Sequence, residues 1–134
     1  MILDTSFLVD VLRGDEATRE WEQTLDESGV GVVTAISVME LWGGIHLADA
    51  TEAERDAVER LLTGLHHADF DRPAATWAGE TSAALTREGR RAEVEDVMIG
   101  AIARHRDEPV LTRNVEDFEQ IGRASCRERV YCEV

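Results

Sequence analysis

Short apolar runs alternate with helical segments along this chain of 134 residues, and this alternation limits the fold more than any other feature. Four runs indicate strands, at residues 1–4, 30–34, 66–70 and 109–112. Between them, apolar residues recur at spacings of three and four, which is typical of helices with one buried face. Strands that alternate with helices favour a mainly parallel sheet covered on both faces. We therefore expect an α/β fold of three layers, with four to five short strands between layers of helices.

The charge balance restricts how the chain can bind other molecules. It has 28 acidic residues against 14 arginines and no lysine, which gives a formal net charge of −14. This composition suggests adaptation to high salt, where screening reduces self-repulsion. It argues against a module that binds nucleic acid through a broad basic face. Any nucleic-acid chemistry needs a few well-placed arginines or metal ions.

The chain has the length of one domain. No apolar run approaches the roughly 20 residues that span a bilayer, and the first residues lack a basic leader. We expect a soluble, cytoplasmic protein without a membrane partner, and we assign its domain to residues 1–121.

Four carboxylates stand where parallel strands would bring them together. Asp4 closes the first strand, Glu40 follows the second, Asp117 follows the fourth, and Asp96 opens the helix that leads into the fourth. Ligands of open parallel sheets bind beyond the carboxyl ends of the strands. Crowded carboxylates repel one another unless cations lie between them, and oxygen ligands suit Mg²⁺ or Mn²⁺. The pattern predicts a divalent-metal site.

Two of these acids also have explanations as helix caps. Ser37 and Glu40 are spaced as a capping box that would begin a helix at Ser37. Asp4 would similarly cap a helix that begins near Ser6.

The other two acids can be explained by helix termini. Asp96 lies in a predicted first turn, where the helix dipole favours negative charge. Asn114 can cap the last helix, which places Asp117 in its first turn.

Taken together, four segments resemble the PIN-domain family, in particular its VapC-type toxins. They are ILDTSFLVDVLRG, TAISVMELWGGI, EVEDVMIGAIA and VLTRNVEDFEQI, in the expected order along residues 1 to about 121. The resemblance implies a metal-dependent endoribonuclease, the toxin of a type II toxin–antitoxin system. It also implies a homodimer, a small antitoxin partner and an RNA substrate, with transfer or ribosomal RNA as possible targets.

The resemblance further assigns roles to residues. It implies that one set of acids forms both the catalytic and the Mg²⁺ or Mn²⁺ site: Asp4, Glu40, Asp96 and Asp117. Polar neighbours would support these ligands or contact phosphate, namely Ser6, Thr112 and Asn114. Arginine binds phosphate through its planar fork. The candidate phosphate contacts are Arg13, Arg87, Arg90, Arg91 and Arg113. A solvated helix end explains the stretch REGRR equally well.

Other functions remain open. One alternative is a PIN nuclease of ribosomal-RNA processing, although the small size and the lack of an added RNA-binding domain favour the toxin. Another is a non-catalytic module that binds a structural cation and acts through protein partners. Phosphatases with a strand-end aspartate nucleophile need a second aspartate two residues later, and Ser6 at that position excludes them.

The last segment, residues 122–134, differs in composition from the rest. GRASCRERVYCEV holds both cysteines, the only tyrosine and several arginines. We interpret it as frameshifted or otherwise non-native sequence. Alternatively, the run RVYCEV alternates well enough to form a last strand of the sheet.

Overall fold

The computed structural model describes residues 1–121 and a short strand at residues 132–133. The strands are β1 (Ile2–Leu3), β2 (Val32–Thr34), β3 (His66–Ala68), β4 (Val110–Thr112) and β5 (Cys132–Glu133). The helices are α1 (Thr5–Leu12), α2 (Arg19–Ser28), α3 (Ala35–Leu47), α4 (Glu52–Thr63), α5 (Arg72–Arg87), α6 (Val94–Arg106) and α7 (Val115–Gln120). A 3-10 turn at Glu16–Thr18 precedes α2.

The strands form one sheet in the order β3-β2-β1-β4-β5. β1 to β4 run parallel, with Ile2 opposite both Val32 and Val110. β5 pairs antiparallel with β4, so that Thr112 lies opposite Cys132. The expected mainly parallel α/β fold is confirmed, and a strand occurs where RVYCEV was the alternative interpretation. The remainder of residues 122–134 lies outside the described part, and their non-native origin stays a prediction.

The core divides into two clusters because successive strand residues face opposite sides of the sheet. Ile2 packs with residues of α5 and α6 on one side. Leu3 packs with residues of α1, α2 and α4 on the other. The helices thus bury both faces, which gives the expected three layers.

The start of α3 differs from the prediction. The helix begins at Ala35 and not at Ser37. Thr34 is its N-cap residue, and the Thr34 hydroxyl accepts a hydrogen bond of 3.2 Å from the Ser37 N–H. Glu40 therefore lies in the second turn, and the capping-box explanation of Glu40 is wrong. A threonine at the end of a buried strand provided an earlier cap.

A glycine allows two acid-bearing helices to pack closely. Gly100 lies one turn after Asp96 on α6, and a Cβ atom there would lie 3.0 Å from Ile121 Cγ2. Ile121 follows α7 directly and is buried. The small residue therefore brings the end of α7, with Asp117 in its first turn, against α6.

Among residues 1–121, no helix is long and apolar enough to cross a membrane.

Candidate active site

Asp4 is a buried carboxylate at the carboxyl end of β1. The residue is only 2% exposed. Two hydroxyls donate to its Oδ2 atom, Ser6 Oγ at 2.9 Å and Thr112 Oγ1 at 2.8 Å. Burial raises the pKa of Asp4, and these hydrogen bonds oppose the rise. Asp4 stands at the N-cap position of α1, where its side chain makes no capping hydrogen bond to the helix.

Glu40 is held on α3 by a hydroxyl of α1. Thr5 Oγ1 donates to Glu40 Oε1 at 2.8 Å. Since the single Thr5 proton is used there, Ser37 Oγ donates to Thr5 Oγ1, 2.8 Å away. Burial raises the pKa of Glu40, with smaller contributions from Asp4 and Glu95. Thr5 and Ser37 were not predicted as site residues, although both lie within the segments that resemble the family.

Asp96 experiences the field of the other predicted acids. Its pKa is raised to about 7, first by burial and then by Asp4, Asp117, Glu40 and Glu93. A favourable helix dipole would lower this pKa. The shift is upward, so burial and the neighbouring acids outweigh any favourable effect of the position of Asp96 in the first turn of α6. The structure thus brings Asp4, Glu40 and Asp117 within electrostatic range of Asp96.

Asp117 lies in the first turn of α7, as expected. Asn114 is the N-cap residue of this helix, but its side chain makes no capping hydrogen bond. Instead, the Asn114 N–H donates to Thr112 Oγ1 at 2.9 Å. Asp117 borders two open cavities, of about 350 and 600 Å³. The smaller one is lined by Arg113, Asn114, Val115, Glu116 and Asp117.

Arginines lie on two sides of the cluster. Arg90 and Arg91 line the larger cavity together with Asp117. Arg13 lines a third cavity of about 430 Å³, whose wall includes Glu40. These three candidate phosphate contacts therefore lie beside carboxylates of the cluster.

The other two candidate arginines are placed differently. Arg87 is in the last turn of α5 and is absent from the lining of the larger cavity. Arg113 Nη1 lies 2.8 Å from Asp10 Oδ2, in an ion pair with a side chain that is 4% exposed. Asp10 was not predicted as a site residue, and its partner lies 103 positions away in sequence.

The donor set fits a hard divalent cation by its chemistry. All four groups are carboxylates, and within residues 1–121 none has an arginine, histidine or terminal amine within 4.0 Å. Their mutual repulsion, visible in the raised pKa of Asp96, is what a cation would relieve. In the same part of the chain, no three Asp, Glu, His or Cys side chains stand close enough to hold a metal ion. Three or more of these acids could hold one ion only after some of their side chains rotate.

The chain is similar to known proteins over most of its length. The chain matches the PIN domain over residues 1–124. The tRNA(fMet)-specific endonuclease VapC of Shigella flexneri is 28% identical over 121 residues, 90% of this chain and 91% of that protein. Ribonuclease VapC10 of Mycobacterium tuberculosis is 30% identical over 118 residues, 88% and 85% of the two chains. The DNA-bound VapBC structure from Salmonella typhimurium matches with a TM-score of 0.82 and 30% identity, over 90% of this chain and 91% of that one.

Proposed function

Because this chain belongs to the PIN-domain family, we propose that it is an endoribonuclease and the toxin of a toxin–antitoxin pair. Relatives of matching length are named as VapC ribonucleases, and the matched Salmonella structure is a VapBC complex. One observation of this structure carries the chemistry. The carboxylates Asp4, Glu40 and Asp117 raise the pKa of Asp96, and within residues 1–121 no cationic side chain lies within 4.0 Å of any of the four.

The cofactor that we propose is Mg²⁺ or Mn²⁺, held by the four acids Asp4, Glu40, Asp96 and Asp117. A divalent ion at such a site supplies Lewis-acid chemistry, since it lowers the pKa of water and offsets negative charge on a phosphodiester. The chain supplies the ligand positions. The Ser6 and Thr112 hydroxyls orient Asp4, and the Thr5 hydroxyl orients Glu40.

The arginines beside the cluster are proposed to bind flanking phosphates of the RNA. Arg91 has no carboxylate within 4.0 Å among residues 1–121, whereas Arg90 lies 3.5 Å from Glu88. Both arginines line the cavity that reaches Asp117. A phosphate bound by them would therefore lie beside the carboxylates. On the other side, Arg13 lines the cavity beside Glu40. Because the acidic surface does not attract RNA broadly, a few local arginines must bind its phosphates.

The partners proposed are a small antitoxin protein, an RNA with a single preferred cleavage site, and a second copy of the chain. Transfer RNA is the first target to examine, because it is the substrate in the name of the Shigella relative. A nuclease of ribosomal-RNA processing is the alternative within the family.

Purified protein mixed with total RNA tests the proposal. We expect discrete cleavage products with Mn²⁺ or Mg²⁺ and none with a chelator. The Asp4→Asn protein, matched in size and fold, should lose activity by orders of magnitude. The Asp4→Asn, Asp96→Asn double variant should lose little more, since residues that act as one unit are not additive. Folded wild-type protein that leaves all RNA intact in the presence of both metals would overturn the nuclease assignment.

A further inference from the structure

One residue fastens the chain between β4 and α7 to helix α1 at two points. The Arg113 N–H donates to Ser6 Oγ at 3.4 Å, and the Arg113 guanidinium donates to Asp10 Oδ2 at 2.8 Å. Ser6 and Asp10 are four residues apart on α1 and so lie on one face of the helix, one turn apart. Arg113 therefore spans a full helical turn.

The same short segment carries groups of the candidate site on both sides of Arg113. Thr112 donates its hydroxyl to Asp4 Oδ2 and accepts the Asn114 N–H. Asn114 begins the helix that carries Asp117. Any movement of Arg113 away from α1 thus disturbs both the support of Asp4 and the position of Asp117.

Within residues 1–121, few hydrogen bonds hold the first turn of helix α7. It has six residues, and Asn114 provides no side-chain cap. The first backbone bond of the helix, from Phe118 N to Asn114 O, is long at 3.5 Å. Buried Phe118 anchors the far side of the helix. The first turn of α7 carries Asp117. The negative charge of Asp96 repels this turn from the carboxylate cluster.

We propose that Asp10 and Arg113 are positioning residues of the nuclease site, whose ion pair locks the β4–α7 connection onto α1. The proposal rests on the proposed function and changes the role of Arg113 from phosphate contact to internal support. A charged pair with one buried member suits this purpose, because its donor and acceptor hold one fixed geometry. Groups behind the ligands of a metal site commonly determine its affinity.

The test compares Asp10→Asn, Arg113→Gln and their double variant with wild type. The Arg19→Gln protein is the control, since it breaks the exposed Arg19–Glu16 pair, which includes no candidate site residue. The first readout needs neither metal nor RNA: hydrogen exchange at the amides of Arg113 and Asn114. We expect these amides to exchange about tenfold faster in Asp10→Asn, while amides of β1 and β2 change less.

The second readout is the Mn²⁺ concentration that gives half of the metal-induced rise in Tm. We expect it to increase about 10- to 100-fold in Asp10→Asn and in Arg113→Gln, without addition in the double variant. RNA cleavage at limiting Mn²⁺ should fall in parallel. Arg113→Lys, which keeps the charge, should recover part of the loss.

Two results would overturn the inference. The first is an Asp10→Asn protein with a lower Tm but unchanged amide exchange and Mn²⁺ requirement, which makes the pair merely structural. The second is an Asp10→Asn protein with wild-type amide exchange, Mn²⁺ requirement and cleavage, together with an Arg113→Gln protein that differs from wild type only in a higher RNA concentration for half-maximal cleavage. That result would make Arg113 a phosphate contact. If wild type shows no response to Mn²⁺ and no cleavage, the proposed function fails, and amide exchange still decides whether Asp10 and Arg113 hold the connection.

Discussion

At the scale of single residues, the site combines firmly held acids with unrelieved repulsion. Asp4 is fixed by two hydroxyls and Glu40 by one. Asp96, by contrast, has its pKa raised by burial and by the surrounding acids. A hydrogen bond to the ionised form lowers a carboxylate pKa, whereas burial and like charge raise it. Among residues 1–121, no cationic side chain lies within 4.0 Å of these acids to relieve the repulsion.

The raised pKa of Asp96 predicts how metal-free stability depends on pH. In the folded protein this pKa is about 7, above its ordinary 3.8. The folded state therefore binds the proton more tightly, and this contribution to stability is complete below the ordinary pKa. It is lost as pH rises through about 7. We expect the Tm with a chelator to fall between about pH 5 and pH 8 by more in wild type than in Asp96→Asn.

Asp26→Asn, at an exposed position of α2, serves as the control for loss of one acidic charge. At about pH 8 without metal, Asp96→Asn should be more stable than wild type, and its gain in Tm with Mn²⁺ should be smaller. If the Tm of wild type and of Asp96→Asn depends on pH in the same way, the neighbouring acids do not raise the pKa of Asp96.

Residue by residue, the sequence indicated Ser6 and Thr112, which donate to Asp4. It did not indicate Thr5, which donates to Glu40, or Asp10, which pairs with Arg113. The Thr5–Glu40 bond joins residues 35 positions apart, and the Asp10–Arg113 pair joins residues 103 apart. Hydroxyls and exposed-looking charges at such separations carry no local signal. The sequence around Asp10 does not distinguish a buried, paired acid from a solvent-exposed acid on a helix.

At the scale of elements, strand ends and helix starts determine where the acids lie. Periodicity indicated helices between the strands, but caps decide the first residue. For α3, the cap predicted from the sequence was Ser37, whereas Thr34 at the end of β2 caps the helix in the structure. That difference moves Glu40 from the first turn to the second, where Thr5 reaches it.

The start of α3 can be tested by removing the Thr34 hydroxyl at nearly constant volume. Thr34→Val should cost about 1 to 2 kcal/mol of unfolding free energy, because the buried Ser37 N–H loses its acceptor. Thr24→Val on exposed α2 is the matched control and should stay within about 0.5 kcal/mol. Chemical denaturation measures both. A neutral Thr34→Val would mean that the helix does not depend on this cap.

At the scale of the whole molecule, residues 1–121 contain the four parallel strands and all the helices that the structure describes. Both core clusters are built from β1 to β4 and their helices. β5 adds two residues of antiparallel pairing on the open edge of β4. Such an edge otherwise presents unpaired backbone groups to other chains.

Removal of residues 123–134 tests whether this last segment is native to the domain. We expect the Tm to change by only a few degrees, because both described core clusters lie within residues 1–121. Size-exclusion chromatography should accompany the melt, since an uncovered β4 edge favours association. A large loss of Tm in protein that stays monodisperse would instead make β5 an integral strand and contradict the non-native interpretation.

Activity as a toxin is a property of the whole molecule in a cell. Induced expression in a sensitive bacterial host should stop growth by halting translation, because a ribonuclease of this class removes RNA needed for protein synthesis. Asp4→Asn, expressed to the same level, should permit growth. Co-expression of the small reading frame expected just upstream should restore growth with the wild-type chain.

With a net charge of −14, folding depends on screening of self-repulsion, so soluble folded protein must be verified at the salt of the host cytoplasm. Normal growth despite abundant folded wild-type protein would favour a nuclease of RNA processing over the toxin.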